Sequence, residues 1–224
     1  MKKIVIQNLN KVYNQNQPNE FYALKNINLE IDDGEIIILK GVSGSGKSTL
    51  LSLLGALSKP SDGDIIVDGQ SIAKLPDIMA SHYRHQEIGF IFQSFNLLSG
   101  LSVYQNIKAP LALLQENEVV MAQKIEKALS IANIEHKREQ KVLNLSGGEK
   151  QRCAIARAMV MEPNIILADE PTANLDKENS LIFIEILQKF KALHKTVIIA
   201  THDVLFDNLA CVDRYVHIQD GVIQ

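Results

Sequence analysis

Apolar residues form short runs between turns in the first part of the chain. The segments KKIVIQNL and INLEI have the β-branched, apolar character of strands, and EIIILK follows the turn DDG as a third run. DGDIIVDG places a further strand between two turns. We therefore predict a β-rich beginning, in which the polar stretch from Asn14 to Glu20 is a loop.

The pattern changes between Ser94 and about Gln140. Apolar residues there follow the i, i+4, i+7 spacing of an amphipathic helix, at Met121, Ile125, Ala128, Leu129 and Ala132. Lysines such as Lys124 and Lys127 lie between them. The segment is therefore predicted to be a helical insert.

Strands and helices alternate in the remainder of the chain. EKQRCAIARAMVM and LIFIEILQKFKAL have helical patterns, whereas NIILADE and TVIIATHD have the pattern of buried strands. RYVHIQDGVI closes the chain as a hairpin-like pair. Such alternation is typical of an α/β fold with a mainly parallel sheet.

Composition narrows the class of protein. The chain has 224 residues, 46% hydrophobic residues and a net charge of -3, which is ordinary for a soluble globular protein and gives no reason to expect nucleic acid as a partner. No apolar stretch approaches the ~20 residues that span a bilayer, and the initial IVI is too short for a signal peptide. Cys153 and Cys211 match no metal or redox spacing and suggest a reducing compartment. An action at a membrane would then need a partner.

The stretch GVSGSGKST lies between a predicted strand, IIILKG, and a run with helical spacing, KSTLLSLLGAL. It fits the P-loop pattern G-x-x-x-x-G-K-[ST], in which Lys47 reaches the β- and γ-phosphates of ATP and the Ser48 hydroxyl ligates Mg²⁺. The alternative is a glycine-rich turn before a helix, which the flanking strand and helix disfavour. The nucleotide-binding candidates are Gly41, Ser43, Gly44, Ser45, Gly46, Lys47, Ser48 and Thr49.

The strand IILADE offers a second oxygen ligand for the metal. Asp169 stands at its carboxyl end, where ligands bind in open α/β sheets, and Mg²⁺ needs more oxygens than one serine supplies. Glu170 points differently and is free to polarise a water for hydrolysis. The alternative for both carboxylates is a solvated strand end, which the neighbouring P-loop makes a weaker interpretation.

The stretch LSGGEKQR, from Leu145 to Arg152, looks like a second phosphate cradle. One chain holds one γ-phosphate at Lys47, so Ser146 and Gly148 would bind the nucleotide of another copy. This hypothesis predicts a head-to-tail twofold dimer with ATP at its interface. The alternative is a serine N-cap and a glycine turn that begin a helix, with Glu149 complementing the helix dipole.

LSGGEKQR resembles the signature sequence of ATP-binding cassette (ABC) ATPases. GVSGSGKST, Gln93, IILADEPT, NLD and THD accompany it in that family's order, so the resemblance covers essentially the whole chain. It implies a P-loop NTPase core with a mainly parallel, RecA-like sheet, an N-terminal antiparallel β subdomain and an inserted α-helical subdomain. It also implies one ABC ATPase domain over residues 1–224. The core and β subdomain would occupy about 1–93 and 153–224, and the helical signature subdomain about 94–152.

The resemblance assigns roles within the chain's own ATP site. Gln93 corresponds to the Q-loop glutamine, which contacts Mg²⁺ and the attacking water, and Glu170 corresponds to the general base. His202 corresponds to the switch histidine that holds the γ-phosphate. Tyr13 stands where the family places an aromatic ring against adenine. The catalytic candidates are therefore Glu170, His202, Gln93 and Lys47.

The same resemblance completes the metal site and the dimer interface. The implied Mg²⁺ ligands are Ser48, Gln93 and Asp169. Asp176 in NLD corresponds to the D-loop aspartate at the interface. The residues expected at the partner's nucleotide are Ser146, Gly147, Gly148 and Asp176.

Three function classes compete for a chain of this kind. They are the ATPase of a transporter, a non-transport ABC ATPase of DNA repair, chromosome structure or translation, and another P-loop enzyme such as a nucleotide kinase. A kinase does not account for LSGGEKQR. The second class usually has long coiled coils, zinc cysteines or two cassettes, none of which is evident in this sequence. The transporter class is favoured, and it predicts a membrane permease subunit on a separate chain.

One run indicates a subgroup of these transporters. SHYRHQEIGFIFQSFNLLSGLSVYQNIKAPL resembles a run of the lipoprotein-release and macrolide-export (LolD/MacB-type) ATPases, which FtsE-type cell-division ATPases and antimicrobial-peptide exporters share. The resemblance implies mechanical work on a membrane partner at the cytoplasmic face of a bacterial inner membrane. Phe95, Leu97 and Leu98 in this run either pack in the core or form the groove that receives a helix of that partner.

Overall fold

The computed structural model of the chain describes residues 2–114 and 116–224. Its strands are β1 (Lys2–Tyr13), β2 (Phe21–Asp32), β3 (Ile36–Lys40), β4 (Asp62–Val67), β5 (Gln70–Ser71), β6 (Ile88–Ile91), β7 (Ile165–Asp169), β8 (Thr196–Ala200), β9 (Arg214–Gln219) and β10 (Val222–Ile223). Its α-helices are α1 (Lys47–Leu54), α2 (Asp77–Glu87), α3 (Val103–Lys108), α4 (Glu118–Ile131), α5 (Gly147–Met159) and α6 (Lys177–Ala192). Short 3-10 helices lie at Ala109–Leu113, Glu135–Lys137, Val142–Asn144 and Val204–Phe206.

The larger sheet has the strand order β10-β9-β3-β8-β7-β6, and its neighbouring strands from β9 to β6 run parallel. Its middle strands, β3, β8 and β7, are almost wholly apolar because both of their faces are covered. Ile36 and Ile38 belong to one hydrophobic core, whereas Ile37 and Leu39 belong to another. Strands buried on both faces are typical of parallel sheets. The predicted α/β core with a mainly parallel sheet is confirmed.

Two layers cover the larger sheet. On one face lie α1 and a smaller, antiparallel sheet of order β2-β1-β4-β5, with Leu50 and Ile4 among their buried residues. On the other face lie α3 to α6, which bury residues such as Ile125 and Phe183. The antiparallel β subdomain and the helical region that the resemblance implied are both present, although the exact subdomain boundaries stay predictions.

The hairpin of β1 and β2 is longer than the apolar pattern predicted. KKIVIQNL and INLEI cover only the part of the hairpin that lies away from its turn. Cross-strand pairing continues toward the turn through irregular register shifts, as far as Tyr13 opposite Phe21. The predicted loop from Asn14 to Glu20 joins the two strands. Backbone hydrogen bonds from Gln17 to Asn14 and from Glu20 to Gln17, each 3.0 Å, close it.

The amphipathic helix of the insert is confirmed as α4. Met121, Ile125, Ala128 and Leu129 are its buried residues, and the Asn117 side chain caps its first turn by accepting from the Val119 N–H at 2.8 Å. Leu97 packs against the same core, whereas Leu98 is exposed. Within residues 2–114 and 116–224, no helix combines the length and the hydrophobicity that crossing a membrane requires.

The helix α2 and the strand β6 had no clear signal in the sequence. Ala80 is the buried residue of α2, so this helix has no apolar stripe that a periodicity search could find. It is held instead by polar contacts, in which Tyr83 and Arg84 donate to the carbonyls of Leu54 and Ala56. β6 is a short edge strand that pairs in parallel with β7. Its pairing is long-range and invisible to a local pattern.

The carboxyl ends of the parallel strands meet along one edge of the larger sheet. β3 leads into the predicted P-loop, β7 ends at Asp169, and Asp169 pairs with Ala200 at the end of β8. Thr201 follows, and its N–H donates to the Leu39 carbonyl at 3.1 Å. The topology therefore gathers the candidate residues from distant parts of the chain at one edge, as is usual for ligand sites in open α/β sheets.

The packing of α6 yields a stability prediction. Phe190 is fully buried in the core, so Phe190→Ala should lower the free energy of unfolding by ~3–5 kcal/mol through lost contacts and a residual cavity. Leu181→Ala on the same helix is the control, because Leu181 is 47% exposed and its truncation should cost about 0.5 kcal/mol or less. Urea unfolding followed by circular dichroism measures both. Equal losses in the two variants would contradict the packing described.

Candidate active site

The P-loop runs from Gly41 to Ser48 between β3 and α1. Gly46 has φ 109°, a left-handed conformation, and a Cβ there would lie 2.6 Å from the Ala23 carbonyl oxygen of β2. A Cβ on Gly41 would lie 2.2 Å from the Ile218 carbonyl oxygen of β9. Only glycine fits at both points. The loop is therefore clamped between two strands that the P-loop pattern itself does not include.

The turn between β9 and β10 adds a third support. The Gly221 N–H donates to the Ser45 carbonyl at 3.1 Å, and the Lys25 N–H donates to the Gly221 carbonyl at 2.8 Å. Gly221 has φ 80°, and a Cβ there would lie 2.7 Å from the Ala23 carbonyl oxygen. The closing hairpin thus fixes the middle of the P-loop from behind.

The phosphate-binding candidates surround a shallow hollow beside α1. It is lined by Phe21, Ala23 and the residues from Gly44 to Thr49. Lys47 is 5% exposed, and its ammonium group donates to the Gly41 and Val42 carbonyls at 2.8 and 2.9 Å. The hollow adjoins the N-terminus of α1, where backbone N–H groups and the helix dipole favour an anion.

Two aromatic residues, Tyr13 and Phe21, are candidates to stack on an adenine ring. Tyr13 is 40% exposed, and the Lys11 ammonium lies 5.0 Å from the centre of its ring. Phe21 pairs with Tyr13 across the hairpin, is 55% exposed, and lines the P-loop hollow. Sequence reasoning did not place Phe21 at the site, because only the pairing of β1 with β2 brings it there. The assignment of Tyr13 stays a prediction.

Ser48 and Asp169 come together as a candidate metal site. The Ser48 hydroxyl donates to Asp169 Oδ1 at 2.8 Å, although the two residues lie far apart in the sequence. Burial raises the pKa of Asp169, and the neighbouring Glu170 charge adds to this, against the Ser48 hydrogen bond and the Lys47 charge. A hydroxyl and a carboxylate oxygen at this spacing fit the preference of Mg²⁺ for oxygen ligands. A cation here would also stabilise the ionised form of the buried carboxylate.

Glu170 is held in one orientation by its neighbours. The Thr201 hydroxyl donates to Glu170 Oε2 at 3.1 Å, and His202 Nδ1 lies 2.9 Å from Glu170 Oε1. The Glu170 backbone has φ 44°, and its N–H donates to the Ala200 carbonyl at 2.8 Å. A left-handed conformation at a residue other than glycine is strained and is found often at functional sites. The side chain of Glu170 is 14% exposed and that of His202 is 68% exposed, so the histidine forms the outer member of the pair.

Gln93 lies in the loop after β6, at the same edge of the sheet. It is an exposed residue, and its backbone carbonyl accepts from the Asn174 side chain at 3.0 Å. Asn174 belongs to the segment that continues from Glu170. This contact ties the loop of Gln93 to the loop of the candidate base, while the role of its side chain stays a prediction.

The signature segment begins α5 as a capped helix. The Ser146 hydroxyl accepts from the Glu149 N–H at 3.3 Å, and Glu149 Oε2 accepts from the Ser146 N–H at 2.8 Å. The serine N-cap of the alternative interpretation of LSGGEKQR is confirmed, and the reciprocal bond of Glu149 makes it a capping box. The Lys137 Nζ lies 3.0 Å from Glu149 Oε1 and forms an ion pair with it. Across the described residues, no hydrogen bond or ion pair joins Ser146, Gly147 or Gly148 to the P-loop of the same chain.

Three polar residues tie α5 to the segment after Glu170. Gln151 is buried and donates to the Pro171 carbonyl at 2.8 Å, and Arg152 donates to Asn179 at 2.6 Å. Asp176 caps α6 by accepting from the Asn179 N–H at 2.8 Å. Sequence reasoning identified Asp176, but it assigned no role to Asn179 or to Gln151 and Arg152 within LSGGEKQR, since their partners lie in another segment.

Known proteins resemble this chain over most of its length. A protein-family model described as ABC transporter matches residues 24–173. The lipoprotein-releasing system ATP-binding protein LolD of Saccharophagus degradans is 38% identical over 210 residues, covering 93% of this chain and 92% of LolD. The macrolide export ATP-binding/permease protein MacB of Campylobacter jejuni is 40% identical over 200 residues, 89% of this chain but 31% of MacB.

A solved structure shares the whole fold. It is the dimeric, post-hydrolysis state of the ATP-binding cassette MJ0796 of Methanocaldococcus jannaschii, bound to ADP and Pi. Its TM-score with this chain is 0.90 at 35% identity, covering 99% of this chain and 96% of that one.

The capping box gives a pH prediction. Burial alone would raise the pKa of Glu149, but the hydrogen bonds from the Ser146 backbone and Lys137 together lower it below its ordinary value. The stabilisation that ionised Glu149 contributes is therefore fully present above the pKa of a glutamate in the unfolded chain, about 4.3. It is lost as the pH falls through the lower pKa that Glu149 has in the folded chain. Glu149→Gln should reduce the free energy of unfolding by ~0.5–1 kcal/mol at neutral pH and by less in acid.

Urea unfolding at several pH values measures this difference. Glu139→Gln is the control, because the side chain of Glu139 is 80% exposed and its ion pair with Arg138 should contribute little at any pH. A loss in Glu149→Gln that is independent of pH would show that the charge of Glu149 does not contribute.

Proposed function

This chain belongs to the ABC transporter family, and from this premise we propose that it powers a separate membrane subunit by binding and hydrolysing ATP. The resemblance to LolD/MacB-type ATPases inferred from the sequence is confirmed by relatives with those names. The observation that carries the proposal is the Glu170 carboxylate, which Thr201 and His202 orient next to Asp169 and the P-loop. Such a group is suited to receive a proton from an attacking water.

The residues divide the work of hydrolysis in a way that follows from their positions. The P-loop N–H groups and Lys47 bind the phosphates of ATP, and Glu170 orients the water that attacks the γ-phosphate. His202 lies at the outer side of Glu170, where its second ring nitrogen can contact a γ-phosphate oxygen. Ser48, Asp169 and Gln93 would hold Mg²⁺, which when bound neutralises phosphate charge.

A second copy of the chain completes the site in this proposal. The first turn of α5 carries Ser146 and Gly147 at or near the surface, and its N–H groups and dipole are suited to an anion. The P-loop of the same chain lies between β3 and α1, and no hydrogen bond joins it to the signature turn in the described residues. The signature turn would therefore bind the γ-phosphate of the partner's ATP. A cassette of the same fold, MJ0796, forms a dimer bound to ADP and Pi, which supports the dimer in this proposal.

A groove beside Gln93 is the proposed contact with the membrane subunit. It has a volume of about 410 Å³ and is lined by residues of α2, β6 and α5, among them Phe90 and Phe92, whose rings stack. Arg157 shapes one wall by donating to the carbonyls of Phe95 and Asn96. Its lining mixes apolar side chains such as Met161 with polar ones such as Arg84, and a mixed lining suits an amphipathic helix of the partner. We place the chain accordingly at the cytoplasmic face of a bacterial inner membrane, in lipoprotein release, macrolide or peptide export, or related mechanical transmission.

The dimer hypothesis predicts the behaviour of a variant that binds ATP without hydrolysing it. Glu170→Gln should be monomeric without nucleotide and dimeric with saturating Mg-ATP, because ATP binds at both halves of the closed interface and the base is missing. Size-exclusion chromatography with light scattering measures the mass. A monomer at saturating Mg-ATP would contradict the proposal.

Two variants separate the two cradles in this experiment. Lys47→Ala in the Glu170→Gln background should weaken ATP binding itself and thereby abolish the dimer. Ser146→Arg should leave ATP binding by the monomer intact while it prevents dimerisation and hydrolysis. Retained turnover in Ser146→Arg would mean that Ser146 serves only as a helix cap.

The membrane partner is tested in the cell. Tagged Glu170→Gln chain, purified from detergent-solubilised membranes with Mg-ATP, should retain an integral membrane protein that carries a large extracytoplasmic domain. Phe92→Asp, which puts a charge in the lining of the groove, should lose that protein while it keeps the ATP-dependent dimer. Recovery of only soluble partners would overturn the transporter function and leave the ATPase unaffected.

A further inference from the structure

Asn179, in the first turn of α6, uses its whole side-chain amide to join two other segments. Its Oδ1 accepts from Arg152 Nη1 of α5 at 2.6 Å. Its Nδ2 donates to Asp176 Oδ1 at 2.9 Å, and its backbone N–H donates to the same oxygen at 2.8 Å. A cation, a neutral amide and a carboxylate thus form one hydrogen-bonded chain from α5 to the start of α6.

The amide of Asn179 also lies against the signature turn. A Cβ added to Gly148 would stand 1.9 Å from Asn179 Oδ1, so the backbone of this turn and the amide are in direct contact. A Cβ added to Gly147 would stand 3.3 Å from the Asn174 carbonyl oxygen. The turn at the start of α5 is therefore packed along the segment that leads from Glu170 to Asp176.

Electrostatics favour this arrangement. The pKa of Asp176 is lowered by the Asn179 N–H and the Asn179 amide, and the Arg152 charge adds to them. Arg152 is half-buried, and its Nε has no hydrogen-bond partner in the described part of the chain. Loss of the Asn179 acceptor would remove a hydrogen-bond partner from the guanidinium of Arg152. Hydrogen bonds to charged groups are costly to lose.

We propose that Asn179 is a positioning residue that holds the signature turn and the Asp176 loop as one rigid unit. The inference rests on the proposed function, in which both segments face the partner subunit's nucleotide. Fixing them together before association reduces the ordering that dimerisation must impose. Asparagine suits the position because its amide offers an acceptor to Arg152 and a donor to Asp176 at the same time, which neither a carboxylate nor an ammonium group can do.

The test uses the full chain in the Glu170→Gln background, where assembly is separated from turnover. Asn179→Ala should raise the Mg-ATP concentration at half-maximal dimerisation on the order of tenfold, as expected when one member of a hydrogen-bonded network is removed. ATP affinity of the monomer, measured in the Ser146→Arg background by calorimetry, should stay within about twofold, since no hydrogen bond joins Asn179 to the P-loop in the described part of the chain. This split between assembly and nucleotide affinity is not expected from general loss of structure.

Matched variants separate positioning from helix capping. Glu178→Ala changes the neighbouring exposed residue in the same first turn of α6, and it should leave the dimerisation midpoint near that of the parent. Asn179→Asp keeps the acceptor for Arg152 but lacks the donor and faces the Asp176 carboxylate, so it should also weaken the dimer. If circular dichroism shows that Asn179→Ala does not fold, the Asn179→Asp variant tests the positioning role in its place.

The outcomes are distinct. If the Glu170→Gln parent does not dimerise with Mg-ATP, the proposed dimer falls and this inference falls with it. If the parent dimerises and the folded Asn179 variants dimerise equally well, the positioning role is overturned while the proposed function stands. A weaker dimer in the Asn179 variants together with parent-like behaviour of Glu178→Ala supports the inference.

Discussion

The parallel pairing of β7 and β8 beside β3 is the constraint on which the site depends. Asp169 stands opposite Ala200 in this register, so the residues that follow the two strands emerge side by side. A slip of one residue would turn every side chain of a strand to the other face of the sheet. It would separate the Ser48–Asp169 and Glu170–His202 pairs. Burial of both faces of these strands fixes the register, and through it the chemistry.

The sequence was most informative where a local rule applies. The P-loop pattern depends on a strand, a loop and a helix that are contiguous, and the structure places all three as expected. The apolar runs of β3, β7 and β8 and the stripe of α4 likewise carry their own periodicity. Ser146 caps α5 through hydrogen bonds with Glu149, which lies only three residues away in the sequence. The sequence allowed that interpretation beside the one in which the serine binds a phosphate, and both can hold for one residue.

The features that the sequence could not reveal depend on contacts between distant segments. Phe21 reaches the P-loop hollow only through the pairing of a bulged hairpin. The sequence does not reveal the partners of Gln151, Arg152 and Asn179, because α5 and the segment after Glu170 come together only in the fold. The helix α2 has too few buried residues to produce a periodic signal. In each case the informative quantity is a long-range distance, which a local pattern does not encode.

The support that Gly221 gives to the P-loop has a consequence for how the chain can vary. This glycine lies outside the family motifs named above, yet its hydrogen bond to Ser45 and its contact with Ala23 place it in the same steric enclosure as Gly46. In a deep mutational scan, Gly221 should therefore show the intolerance of a phosphate-loop position, and Ala23 should resist changes that shift its backbone. The residue that fits at position 221 is thus limited by the shape of a loop far earlier in the chain.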